Sequence, residues 1–211
     1  MKYFHKNVKK AEELTYLSRI EKIHPHKMIS YLAMFGSILI IAFLLLSFHF
    51  SKPAESNIAL QFELPKLFFI NTFVILISAF ILSKAKKHYA EDDATSMRKT
   101  IALTMSASFL FLFLQLITIM QLLGNDLFMA GEIIKSYMIF LLTFHFILLT
   151  AGLTMCAITF TKYRKIEKDP VSSLIIFTNP YEKVRVSVLS EYWYFISLAW
   201  VAIYTFLHFS F

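Results

Sequence analysis

The chain is poor in the residues that staple or punctuate soluble folds: its 211 residues include one cysteine, four glycines, five prolines and two tryptophans. The lone Cys156 can close no internal disulfide and offers no paired thiolate for a metal. The glycines nowhere form a GxxxG spacing, so a tight glycine-mediated helix dimer is not expected. No Asn-x-Ser/Thr sequence occurs. A cleavable signal peptide is not expected either, because the first 27 residues are polar and the apolar run that follows is too long for a signal core. The most informative absence is charge. Five long apolar runs hold no Asp, Glu, Lys or Arg in their interiors. Ion and proton carriers usually keep an ionisable group at depth, so a small transporter or channel fits poorly.

What is present is apolar surface. Hydrophobic residues make up 57% of the chain, above the roughly 45–50% of soluble domains, and they are gathered into runs with the charges between them. About 20 apolar residues cross a bilayer as a helix. The runs are 28–50, 67–83, 101–123, 136–161 and 192–211. Backbone amides in lipid must be satisfied internally, so each run is expected to be a helix. No alternating ten-residue pattern of the barrel kind appears. The predicted fold is therefore an all-α integral membrane protein with five transmembrane helices, comprising a basic tail at 1–27 and a membrane domain at 28–211. Pro170 and Asn179-Pro180 read as helix breakers inside a long fourth connection, Lys162 to Glu191.

The net charge of +7 is explained by topology rather than by nucleic acid, since no basic stretch is interleaved with aromatics outside the apolar runs. The tail carries seven Lys or Arg, the second connection five and the fourth six, whereas the first and third together carry Lys52, Lys66 and Lys135. Eighteen against three is the asymmetry that the positive-inside rule requires of an odd number of crossings. It is expected to place the N-terminus in the cytoplasm and the C-terminus on the opposite side of the membrane.

The polar side chains left within the runs are Asn71, Gln115, Gln121, His49, His145, His208 and several Ser and Thr. His145, the deepest histidine, is read as a neutral imidazole bonded to a neighbouring helix or a lipid, the alternative being a haem or metal ligand. His49 and His208 lie near run ends, and His24-Pro25-His26 reads as a solvated linker. Gln115 and Gln121 are six apart and point to different faces; interhelical hydrogen bonding is the favoured role. The 23 phenylalanines read as packing and lipid-facing surface. Tyr192, Trp193 and Tyr194 are expected in an aromatic belt where the last helix meets the interface, with Trp200 deeper and packed between helices.

Several of these stretches together resemble subunit III of the haem-copper cytochrome c oxidases, in the bacterial five-helix form. Tyr192-Trp193-Tyr194-Phe195 followed by Trp200 is similar to the stretch that opens that family's last helix. Phe62-Glu63-Leu64-Pro65 precedes the second helix as in five-helix members. Gln115 with Gly124 to Phe128, and His145 with Ala151-Gly152, match in order. The likeness spans about Lys27 to Phe211. At five positions the family's acid or histidine is replaced, by Gly36-Ser37, Leu148, Ser187, Tyr194 and Ser197. The resemblance implies a divergent, non-catalytic subunit of a respiratory oxidase, without haem, copper or a catalytic site of its own. Those cofactors would lie in a partner catalytic subunit I, and membrane phospholipids would be a further partner. Candidate packing or lipid contacts are Glu63, Gln115, His145, Tyr192, Trp193 and Trp200. The remaining alternative is a haem- or quinone-binding membrane anchor that uses His145.

Overall fold

The computed structural model describes residues 25–51, 66–124, 132–167 and 169–210. Glu63 with its 62–65 stretch, and residues 125–128 after Gly124, lie outside the described residues. The described residues contain no strand and form α1 Pro25–Phe50, α2 Leu67–Ser83, α3 Ala85–Ala90, α4 Ala94–Gly124, α5 Glu132–Ile166, α6 Pro170–Thr178 and α7 Pro180–His208. Among the described residues five spans are long and apolar enough to cross a membrane, with α2 and α3 forming one of them. The protein is a multi-pass membrane protein.

The helices follow the apolar runs and then continue into their polar flanks. The second run coincides with α2, but α4 starts at Ala94 rather than Ile101 and α7 at Pro180 rather than Tyr192. The stretch from Lys162 to Glu191 is therefore helical over most of its length, not a long connection. Its prolines act as starts rather than breaks. Pro170 follows Asp169, whose carboxylate accepts from the Val171 amide, and Pro180 follows Asn179, whose side chain accepts from the Tyr181 amide. A proline at the first helical position loses only an amide that would be unsatisfied anyway, and an Asp or Asn before it caps the next turn. Hydrogen bonds from Ser172 and the Val171 amide hold the Asp169 carboxyl below its ordinary value. Asp93 does the same ahead of α4: it accepts from the Ser96 amide at 2.9 Å and is lowered by its bonds to Ser96. The tight reversal between α3 and α4 uses Asp92 at φ 55°.

Packing follows from the faces. On α4 the buried residues Met97, Thr100, Ile101, Thr104, Ser108, Phe111, Gln115, Thr118 and Leu122 recur every three or four positions, the spacing of one helix face. α4 packs between α2 and α5, and α7 closes the ring against α2 and α5. α1 lies outside this four-helix ring, against α7 and α5. Only a narrow stripe of it is buried, including Met34, Ser37, Ile41 and Phe48, while Phe35 and Phe43 face outward.

The α5–α7 approach depends on Gly152. A Cβ placed there would lie 2.9 Å from Ile196 Cδ1, 3.0 Å from Trp193 Cζ3 and 3.2 Å from Tyr192 Cε1. The isoleucine tip can move, but the two rings are themselves hydrogen-bonded and cannot easily give way. Gly36 on α1 has no such neighbour. Gly152→Val is expected to lower stability in mixed-micelle unfolding by about 1–3 kcal/mol, as overpacking does. Gly36→Ala should change it by less than about 1 kcal/mol, toward greater stability, through helix propensity. Equal effects of the two substitutions would contradict this account of the α5–α7 contact.

Candidate functional site: the bundle interior and its basic end

Two tryptophans organise the interior. Trp193 donates its indole N–H to Ser78 Oγ at 3.1 Å, and Trp200 donates to Thr72 Oγ1 at 3.1 Å. Each hydroxyl in turn donates into its own helix, Ser78 to the Ile75 carbonyl and Thr72 to the Phe68 carbonyl. An indole N–H is a donor only, so it needs an acceptor when buried. A Ser or Thr already bonded to its own backbone still offers a lone pair. The pairs 193–78 and 200–72 run in opposite senses, so α2 and α7 are antiparallel.

The other helix pairs are tied in the same manner. Tyr192 Oη donates to the Leu148 carbonyl at 3.0 Å, and His145 Nε2 lies 3.2 Å from the Ile196 carbonyl, joining α5 to α7. Gln115 Nε2 donates to the Leu142 carbonyl at 2.8 Å, joining α4 to α5. The carbonyl can only accept, so His145 carries its proton on Nε2 in this geometry. Its ring is fully enclosed, 4.9 Å from Trp200 and 5.5 Å from Phe111 between centroids. Trp200 also stacks on Phe68 and meets Phe111 edge-on. His145, Gln115, Tyr192, Trp193 and Trp200 are thus brought into one packed layer. The bond of His145 to a neighbouring helix and the interhelical bond of Gln115 follow the sequence reading. The aromatic-belt expectation for Tyr192 and Trp193 does not: both are buried, and only Tyr194 is exposed. The reason is that α7 begins twelve residues earlier than its apolar run, which places these residues within the packed length of the helix.

Gln121, His49 and His208 are exposed. His49 lies against Phe50, and His208 against Tyr204 and Phe209. Among the described residues no group of three or more His, Cys, Asp or Glu is placed to hold a metal. Asn71 is fully buried with neither side-chain polar atom bonded.

Sequence reasoning missed two carboxylates at the end of the bundle where the basic residues gather. Glu191 on α7 accepts from Tyr31 Oη at 2.8 Å and Ser187 Oγ at 2.7 Å, and lies 3.4 Å from both Lys27 and Lys86. It joins α1, α3 and α7. Glu182 is buried beneath ion pairs with Lys162 and Arg185. The local signs were the Glu182–Arg185 and Ser187–Glu191 spacings on a helix; the lysine and tyrosine partners are remote in sequence. Between α1, α5 and α7 at this end lies a cavity of about 520 Å³. Ile29, Met155, Val184 and Val188 give it apolar walls, and Ser30, Tyr181, Glu182 and Arg185 supply polar groups. Such a volume lined this way fits an apolar chain below a charged head rather than a polar substrate.

No family model matches the chain, and no curated protein matches it.

The Trp200–Thr72 bond is measurable by a double-mutant cycle. Trp200→Phe and Thr72→Val are expected to share a coupling of about 0.6 kcal/mol, the average for interhelical hydrogen bonds in membranes. Trp200→Ala should cost several-fold more, up to the roughly 3–5 kcal/mol seen for large aromatics in soluble cores. Additive single effects in the cycle would show that the bond contributes nothing.

Proposed function

We propose that this protein is a non-catalytic, subunit III-like component of a respiratory cytochrome c oxidase, supporting assembly, lipid binding and the stability of the catalytic subunit. The observation that carries this reading is where the residues of the resemblance sit. Tyr192, Trp193 and Trp200, with His145, Gln115 and Gly152, form the layer that holds four helices together. Their side chains are committed to packing and to neighbouring helices, which suits a supporting subunit. The rival reading, a haem- or quinone-binding anchor, needs His145 open to a ligand; its Nε2 is bonded to Ile196, and its unbonded Nδ1 is enclosed with the ring among aromatics. Haem and copper belong, on this proposal, to a partner catalytic subunit. The cavity at the basic end supports a lipid role: its apolar walls suit an acyl chain, and Arg185 at its edge suits a phosphate.

On this reading the membrane is a bacterial inner membrane, and the charge asymmetry supports a cytoplasmic N-terminus and basic end with the C-terminus in the periplasm. A reporter active only after export should be active when fused after Phe211 and silent when fused within 167–169. A silent Phe211 fusion would overturn the orientation.

Extraction in mild detergent should bring the protein out with a larger assembly that contains haem and copper and has oxidase activity. Changing Trp193 and Trp200 together to Ala should lower the yield of that assembly or its survival during turnover. The initial rate per haem of complexes that still form should stay near the parental value. A protein that migrates alone while oxidase activity migrates elsewhere sinks the proposal. So does one haem per isolated chain that is lost on His145→Ala.

A further inference from the structure

The short helix α6 exposes an apolar stripe that the bundle does not use. Val171, Leu174 and Ile175 are 67%, 68% and 60% exposed, at the i, i+3, i+4 spacing of one helix face. The opposite side is anchored. The Phe177 ring meets Tyr89 and Tyr163, and Tyr89 Oη donates to the carbonyls of Ile176, Phe177 and Asn179. The stripe is therefore held facing outward.

Its position is set by the membrane helices on either side. Three residues, 167–169, join it to α5, and Asn179 alone joins it to α7. α5 runs five residues past Thr161, the end of its apolar run. That is roughly 7 Å at 1.5 Å per residue, the thickness of the interfacial zone on one side of a bilayer. The cavity also brings Tyr181 and Glu182, at the start of α7, beside Ile29 and Ser30, the first residues of the apolar run of α1. Both observations put α6 at the level of the lipid headgroups.

Exposed cations outnumber exposed carboxylates around it, Asp92 beyond Tyr89 being one of the latter. The three carboxylates of the segment are engaged within the protein: Glu167 with Arg98, Asp169 as the cap of α6, and Glu182 with Lys162 and Arg185. Arg164, Lys165 and Lys183 are exposed, and no ion pair is seen for them among the described residues. An apolar face bordered by unneutralised cations at headgroup depth is the composition of a helix that lies in an anionic membrane surface. We infer that α6 is such an in-plane anchor, inserting Val171, Leu174 and Ile175 into the interface of an anionic lipid leaflet. The inference does not depend on the oxidase reading.

The test uses the full chain in vesicles, in a Cys156→Ala background, with a polarity-sensitive fluorophore on Leu174→Cys and, separately, on Ile175→Cys. Vesicles of phosphatidylcholine are compared with vesicles that also contain phosphatidylglycerol. Both labels should be quenched several-fold more by a nitroxide placed shallow in the acyl chains than by aqueous iodide. The difference should grow with phosphatidylglycerol. Replacing Arg164, Lys165 and Lys183 by Gln should abolish that growth. Labels quenched by iodide and not by lipid nitroxides would overturn the inference, as would labels shielded from both. Shielding that depends on the protein-to-lipid ratio would assign the stripe to a second copy instead.

Discussion

A buried N–H in a lipid-embedded bundle has no water to fall back on, and the two indole N–H groups of α7 are the clearest case. Both find hydroxyls on α2 that are already donating into their own backbone. This relay satisfies the donor without placing a charge in the core. It also fixes the register of α2 against α7 at two levels seven residues apart. With that register set, the His145 bond to the Ile196 carbonyl falls between those levels, the Tyr192 bond to the Leu148 carbonyl lies beside the Trp193 level, and the rings of Phe68, Phe111 and His145 close around Trp200. The small side chain of Gly152 is the geometric condition for the arrangement, because it lets α5 come close enough for those bonds to form.

Charge is confined to the ends, and there it performs a different task. α1 has little buried surface of its own, so its position depends on its two extremities. At one end Lys27 and Tyr31 meet Glu191; toward the other Phe48 meets the Phe206 ring at 5.8 Å. Glu191 is only partly buried, so each ion pair contributes little singly. Its value lies in serving α1, α3 and α7 at once. The cavity meets α1 at Ile29 and Ser30, between Lys27 and Tyr31 in sequence but on other faces of the helix.

The five membrane helices were legible because lipid imposes one rule, an unbroken apolar run, and each run meets it without competition from tertiary context. Their ends were not legible. Beyond the hydrocarbon, helix continues as long as caps and neighbours support it. Asp169-Pro170 and Asn179-Pro180 can be read either as breaks or as starts until the caps are seen. Gln115 and His145 were readable as interhelical donors because a polar group deep in an apolar run has few other options. Tyr192 and Trp193 were misplaced because an aromatic next to a charge suggests an interface. The Glu191 charge that precedes them is not exposed to headgroups alone but is matched by lysines from two other elements. Glu182 and Glu191 were overlooked because their lysine partners stand far away in the chain.

The positions where the chain departs from the oxidase-subunit pattern acquire a physical meaning from their bonds. Ser197 donates to the Trp193 carbonyl and Ser37 to the Ala33 carbonyl, both within their own helices. The Leu148 carbonyl receives Tyr192. Tyr194 faces outward. Where the resemblance calls for an acid, Ser187 donates instead to Glu191, one turn further on. A carboxylate is thus retained near that level of α7, but it is neutralised by two lysines at the bundle end rather than held in the interior. The hydroxyls of Ser37, Ser187 and Ser197 are thus all satisfied within their own helices, with no ionisable group at those three positions.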